Sequence, residues 1–289
     1  MSHLLRAPCP TLRPFVRSLG CVGGVLPAGR ERILPTAHVS LMVNLHEDEF
    51  RTYDGPTGPP ALRTRGAILA GPRLRHLVID TEEQRSLVEV TFELGGAPHF
   101  FGVAMSAVRD RLVELEALWG REGRLLRERL LEAATPERRL SVIETALRDH
   151  LAQGCGLDPV VAAAAFHFER DLSVSAVAVE LGISPRRFTS RFRERVGLGP
   201  KRYSRVRRLE RLFGSIDPDV PPRWSEVAAA HGFSDQAHLV NEFREMTGVT
   251  PTGIGLAPRR SRTICRCRPA DRFLQDHGRR RRLSSDHDL

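Results

Sequence analysis

Residues 173–251 state one short pattern twice, about 50 positions apart. A duplicated pattern of this length folds as two copies of one supersecondary unit. The first copy runs Val177-Ala178, Gly182-Ile183-Ser184, Phe188, Phe192, Gly197 and Pro200. The second runs Val227-Ala228, Gly232-Phe233-Ser234, Leu239, Phe243, Gly248 and Pro251. The offset is 50 before the turn and 51 after it, so the second copy holds one extra residue. Each copy reads as a short apolar helix, a glycine turn and a longer helix with a polar face, the grammar of a helix-turn-helix.

In the first copy Ser173 is a cap for a helix that turns Val174, Val177, Ala178 and Leu181 inward. Ser184-Pro185 then supplies a capping hydroxyl and a first-turn proline for the second helix. Phe188 and Phe192 lie one turn apart and share the core face. The opposite face carries Arg186, Arg187, Thr189, Ser190, Arg193 and Glu194. Arg186, Arg187, Thr189 and Ser190 stand where a recognition helix meets base edges, and arginine is suited to guanine. In the second copy Leu239 and Phe243 face inward, leaving Gln236, Ala237, His238 and Asn241 as base readers. Gln and Asn suit adenine, and Ala packs on a thymine methyl. Arg193, Lys201, Arg208 and Arg244 are placed for phosphate. Between the copies, Pro200-Lys201-Arg202-Tyr203 leads a helix through Val206, Leu209, Leu212 and Phe213 that joins the two units.

The charge supports a polyanionic partner on the same half. Residues 1–159 hold 20 Arg against 20 acidic side chains, whereas 160–256 carry 14 basic against 11 acidic and 257–289 carry 10 Arg against 4 Asp. The whole formal excess of +9 therefore follows residue 159. The tail at 257–289 is Arg-rich, poor in apolar residues and expected to be disordered.

The first 95 residues read as β. Val39, Leu41, Val43 and Leu45 alternate with polar or intervening residues, and so do Val88, Val90, Phe92 and Leu94. Residues 67–70 and 76–79 are predicted strands between them, and the Gly/Pro-rich stretch 55–60 is a loop. From Pro98 the period turns helical: Leu112, Leu115, Leu118 and Trp119 share a face, Leu125, Leu126, Arg129 and Leu130 continue in a second helix, and Thr135-Pro136 opens a third carrying Leu140, Ile143, Leu147 and Leu151. The expected division is a β-rich sensor region at 1–95, a helical dimerisation or linker subdomain at 96–157, the tandem helix-turn-helix domain at 158–256 and the tail. The fold class is α+β and multidomain: a barrel- or sandwich-like β domain with a helical subdomain, then an all-α domain.

Chemistry of other kinds has little to stand on. His38, His46, His76 and His99 form no His-x-His pair and have no carboxylate at ligand spacing. Cys265 and Cys267 are two thiols without further ligands. No phosphate loop or nucleophile elbow is present. We expect no catalytic residue, metal or cofactor, no membrane span and a cytoplasmic location. A cupin-like metal-dependent enzyme or ligand-binding protein, with its helical half serving as a protein-interaction module, is the alternative from another class.

Gly232-Phe233-Ser234-Asp235-Gln236-Ala237-His238-Leu239, Phe243 and Gly248-Val249-Thr250-Pro251 are similar to the signature of the AraC/XylS family of bacterial transcription regulators. Phe100-Phe101-Gly102-Val103 with Leu118-Trp119-Gly120 looks like a sensor module found ahead of that domain in some members. Where the family continues with an aromatic and an arginine, this chain has Gly253-Ile254-Gly255. The resemblance implies a bipartite reader of double-stranded DNA, RNA polymerase as a further partner, and modulation by a small-molecule effector or by homodimerisation through the N-terminal domain.

Overall fold

The computed structural model describes residues 2–24, 29–152, 156–169, 173–217, 220–253 and 264–266. Within the tail expected to be disordered, residues 264–266 form a strand; the rest of that tail, and the side chains of Cys265 and Cys267, fall outside the description.

The β region is built from β1 (Ser2–Arg6), β2 (Val16–Gly23), β3 (Arg30–Ile33), β4 (Ser40–Asn44), β5 (Glu49–Thr52), β6 (Leu62–Arg65), β7 (Ala67–Ala70), β8 (Leu77–Asp80), β9 (Ser86–Phe92) and β10 (Leu112–Glu114), joined by β11 (Ile264–Arg266) from late in the chain. Six of these make one sheet in the order β1-β2-β9-β4-β7-β10, every pair antiparallel. β11, β3 and β8 form a second sheet, and β5 pairs with β6. The alternation in β4 and β9 decides the layering. Leu41, Val43, Val88, Val90 and Phe92 all turn to one face, where they meet Leu126, Leu130, Leu140, Ile143 and Leu147 from helices. Met42, Ile68 and Leu87 turn to the other, with Phe50. A period of two thus gives the large sheet one helix-covered face and one β-covered face.

The covering helices are α1 (Pro98–Phe101), α2 (Met105–Val108), α3 (Leu115–Trp119), α4 (Arg121–Glu132) and α5 (Pro136–His150). Thr135 caps α5 by accepting from the Arg138 amide, with Pro136 at the first position. One expectation is corrected here. Leu112 does not share a helix with Leu115 and Leu118; it opens β10, which pairs with β7 before the chain turns into α3. The i, i+3 spacing spans a strand–helix junction, which periodicity alone cannot separate from one helix.

The remaining helices are α6 (Pro159–Glu169), α7 (Val174–Glu180), α8 (Pro185–Val196), α9 (Pro200–Ser215), α10 (Trp224–Ala230) and α11 (Gln236–Thr247). They enclose a second core in which Phe168, Phe188, Phe192, Val206, Leu209, Leu212, Leu239 and Phe243 are buried. Ala37 of the β region is buried in this core too, and Leu74 and Leu94 pack against it. The two halves are therefore docked along a seam.

His38 stands at that seam, its Nε2 3.3 Å from Arg17 Nη1. Arg17 and Glu93 approach it from the sheet side, Glu210 and Arg207 from α9. Burial pushes its pKa below 6.5, outweighing the pull of Glu210 and Glu93. The docked state accordingly favours the neutral ring. A ring released by undocking titrates near 6.5 (about that value in open chain), so this contribution is whole above that pH and is lost as pH falls below it. We expect the melting transition to move to lower temperature between pH 7.5 and pH 5.5, and His38→Gln to flatten the dependence. Equal pH dependence in both proteins would show that His38 is not the group responsible.

Candidate nucleic-acid interface

The first unit is α7, a turn and α8. Ser173 Oγ accepts from the Ala176 amide at 3.2 Å and so begins α7. Gly182 takes φ +64°, a left-handed value that a side chain would strain, and this reverses the chain toward α8. Ser184 Oγ then accepts from the Arg187 amide at 3.3 Å, with Pro185 in the first turn. Phe188 and Phe192 are fully buried. Their rings pack 5.7 Å apart, and Phe192 also meets Phe168 at 5.6 Å and Tyr203 at 5.3 Å. Fixing these two rings inward leaves Arg186, Arg187, Thr189, Ser190, Arg193 and Glu194 exposed on the far side. Pro185, Arg186, Thr189, Ser190 and Arg193 line a shallow, open depression.

The second unit, α10, a turn and α11, shows where the extra residue went. Gly232 reverses the chain at φ +70°, as Gly182 does. The cap, however, is Asp235 and not Ser234: its carboxylate accepts from the His238 amide at 2.7 Å. That backbone hydrogen bond holds the Asp235 carboxyl below its usual range. The insertion therefore lengthens the turn by one residue and exchanges a serine cap for an aspartate. Ser234 is released to bond His238 Nδ1 at 3.1 Å. Leu239 and Phe243 are buried, and Gln236, Ala237, His238, Asn241 and Arg244 are exposed.

The two faces are chemically unequal. The first presents two cations at its N-terminal turn, whereas the second presents amides, a methyl and an imidazole engaged within the domain. Besides Ser234, His238 faces Glu242, with Nε2 3.6 Å from Oε2. Glu242 is buried and, besides His238, carries two partners: Arg208 Nη2 reaches both its oxygens at 2.9 and 3.0 Å, and Arg205 Nε lies 3.3 Å away. Arg208 also donates to the Gly232 carbonyl at 3.1 Å and lies 4.5 Å over the Phe233 ring. Its guanidinium thus braces the second turn from α9. Arg193, Lys201 and Arg244 are exposed on the flanks of the reading faces. Glu242 is the functional residue that sequence reasoning missed. The signal available was an acid beside the inward Phe243, on the side turned to Arg205 and Arg208.

Asp158 performs a similar brace for the first unit. Its Oδ1 accepts from the Val160 amide at 3.0 Å, opening α6, and its Oδ2 takes Arg191 Nε at 2.6 Å. Arg191 is thereby turned away from the reading face. Among the described residues no group of three or more His, Cys, Asp or Glu could hold a metal ion, and no described helix is long and apolar enough to cross a membrane.

Residues 177–255 match a family described as a helix-turn-helix domain, and residues 5–114 match a domain of unknown function (DUF6597). A curated relative, the HTH-type transcriptional regulator GlxA of Rhizobium meliloti (strain 1021), is 37% identical over 86 residues, covering 29% of this chain. The match spans only 25% of that protein's length. A solved structure of ToxT from Vibrio cholerae aligns over 87% of this chain and 97% of the other, with 9% identity and a TM-score of 0.42. A structure of ToxT from Vibrio cholerae O395 gives 10% identity over 81% and 94%, at 0.40. The two ToxT likenesses are too slight to bear on fold or function.

Proposed function

We propose that this chain is a regulator of the AraC/XylS family, a reading its helix-turn-helix domain supports, and that it binds double-stranded DNA sequence-specifically, setting α8 and α11 into two successive major grooves. The observation that carries this reading is that both reading helices fold from a left-handed glycine, a side-chain cap and an inward aromatic or aliphatic pair, and both leave their N-terminal turns exposed. Arg186, Arg187, Thr189 and Ser190 read bases in one segment, and Gln236, Ala237, His238 and Asn241 read them in the other. Arg193, Lys201 and Arg244 hold phosphate. Arg208, assigned to phosphate on sequence grounds, acts through Glu242 to set α11 in place.

The division at 1–95, 96–157, 158–256 and 257–289 is part of this proposal, as are a small-molecule effector or a homodimer contact on the N-terminal half, RNA polymerase as the downstream partner and a cytoplasmic location. The Arg-rich tail adds sequence-independent attraction. The test is selection of binding sites from a random duplex library by the full chain at two salt concentrations. One recurring motif spanning about two helical turns and persisting at the higher salt is expected. Retention without a motif, vanishing as salt rises, would overturn the reading. Deleting residues 259–289 is expected to leave the motif unchanged while reducing affinity for random DNA and the salt dependence of that affinity.

A further inference from the structure

The two units carry glycine at the same place, just past the end of each reading helix, and both glycines touch the N-terminal half. Gly197 takes φ +88°, and a Cβ there would lie 2.7 Å from Pro72 Cγ and 2.8 Å from the Met105 carbonyl oxygen. Gly248 takes φ +76°, and a Cβ there would lie 2.5–3.1 Å from three atoms of the His76 ring. Beside that contact the His76 amide donates to the Met246 carbonyl at 2.9 Å, one of the acceptors that a helix end leaves without an intrahelical partner. A third contact falls on the linking helix. Glu210 Oε1 accepts from the Ala37 amide at 3.1 Å and from Thr36 Oγ1 at 3.2 Å. The N-terminal half therefore grips α8, α9 and α11 together, from the C-terminal ends of the reading helices and away from their exposed N-terminal turns.

We propose that this grip is a spacing clamp: Pro72, His76 and the Thr36-Ala37 pair are positioning residues that fix the separation between α8 and α11 and so set the spacing tolerated between the two DNA segments. The inference rests on both units binding DNA. A single helix joins them, and one helix leaves freedom to bend and twist. Seating both C-terminal ends on the N-terminal half removes that freedom, because either unit can rotate about α9 only by breaking its own contact. Neither glycine accepts a side chain without displacing the domain that abuts it. The duplex imposes a matching demand: one added base pair moves the second segment by about 3.4 Å and turns it by about a tenth of a revolution. A clamped reader cannot follow that change, whereas an unclamped one pivots about α9.

Full-length His76→Ala keeps the backbone bond to Met246 and removes the ring from Gly248; full-length Glu210→Ala removes both bonds to residues 36–37. Each is titrated against the selected duplex and against copies with one base pair inserted or removed between its halves. The parent chain is expected to lose about 30-fold on either altered duplex, the size of a mispositioned contact. The variants are expected to lose no more than about fivefold there and to stay within about threefold of the parent on the selected duplex. Equal spacing penalties in parent and variants overturn the clamp while leaving DNA reading intact. A parent chain that yields no two-part motif overturns the function itself, and the clamp with it. Melting by circular dichroism verifies folding, and Thr36→Val, which removes the Oγ1 bond to Glu210 together with the one Oγ1 accepts from the His38 amide but keeps the Ala37 amide bond to Glu210, carries the same expectation at smaller size should a truncation unfold the chain.

Discussion

Phe192→Ala is expected to cost about 3–5 kcal/mol and to leave the helical half only marginally stable. Phe192 is fully buried, and its ring meets Phe168, Phe188 and Tyr203 at centroid distances of 5.3–5.7 Å. Those partners come from α6, α8 and α9, so removing the ring opens a void where three helices converge. A cost of this size is a large part of the roughly 5–15 kcal/mol that stabilises an ordinary domain. The loss should spread to the second unit, since α9 carries Leu209 and Leu212 in the same core as Leu239 and Phe243. A urea titration followed by circular dichroism checks this: the helical transition moves to much lower denaturant. Phe192→Leu retains most of the volume and should lose far less. A shift under about 1 kcal/mol for the alanine variant would show that the site collapses around the void and that α8 is not anchored there.

Arg186→Ala carries the second-largest effect. Arg186 is exposed in the first turn of α8, beside the depression that Thr189 and Ser190 also line. A bidentate arginine–guanine contact discriminates by about 1–3 kcal/mol, so affinity for the selected duplex should fall about 5- to 150-fold. Random DNA gains only from the charge, and its affinity should fall by no more than about threefold. Competition titrations of both duplexes at one salt concentration separate the two. Equal losses would reassign Arg186 to the phosphate backbone.

What the sequence made legible is what short-range chemistry determines. Gly182, Gly232, Gly197 and Gly248 are needed for left-handed backbone, Ser173 and Ser184 cap the helices that follow them, and β4 and β9 alternate because one face is buried under the helices while Ser40, Glu89 and Thr91 on the other stay only half-buried. The strands left unread lack that signal. β3 reads Arg-Glu-Arg-Ile, and β5 and β6 read Glu-Phe-Arg-Thr and Leu-Arg-Thr-Arg; their charges pair across the β5–β6 hairpin, as Arg63 does with Glu49 at 3.2 Å, or reach the turn before β9, as Arg51 does with Glu83 at 2.8 Å. In β2 the run Leu19-Gly20-Cys21 is buried without alternation because the strand has a partner on each edge and cover on each face.

The reading faces were legible for a related reason. Once Phe188 and Phe192 are inward, the helical period alone assigns the outward set. What that geometry could not supply is long-range. The pairing of Glu242 with Arg205 and Arg208 joins residues more than 30 positions apart, and the seating of Gly248 against His76 joins two domains. The shift of the second cap to Asp235 sits between these cases, since the one-residue change in offset announced an insertion without locating it.

The measurement that tests the central claim most directly is a hydroxyl-radical footprint of the full chain on its selected duplex. Reading by α8 and α11 in successive grooves predicts two protected patches on one face of the DNA, centred about 34 Å apart, with the patch under α8 weakened by Arg186→Ala and the other unchanged. A single patch would mean that only one unit enters the groove. Protection spread evenly along the duplex, disappearing as salt rises, would contradict sequence-specific reading altogether and leave only the attraction of an arginine-rich chain for a polyanion.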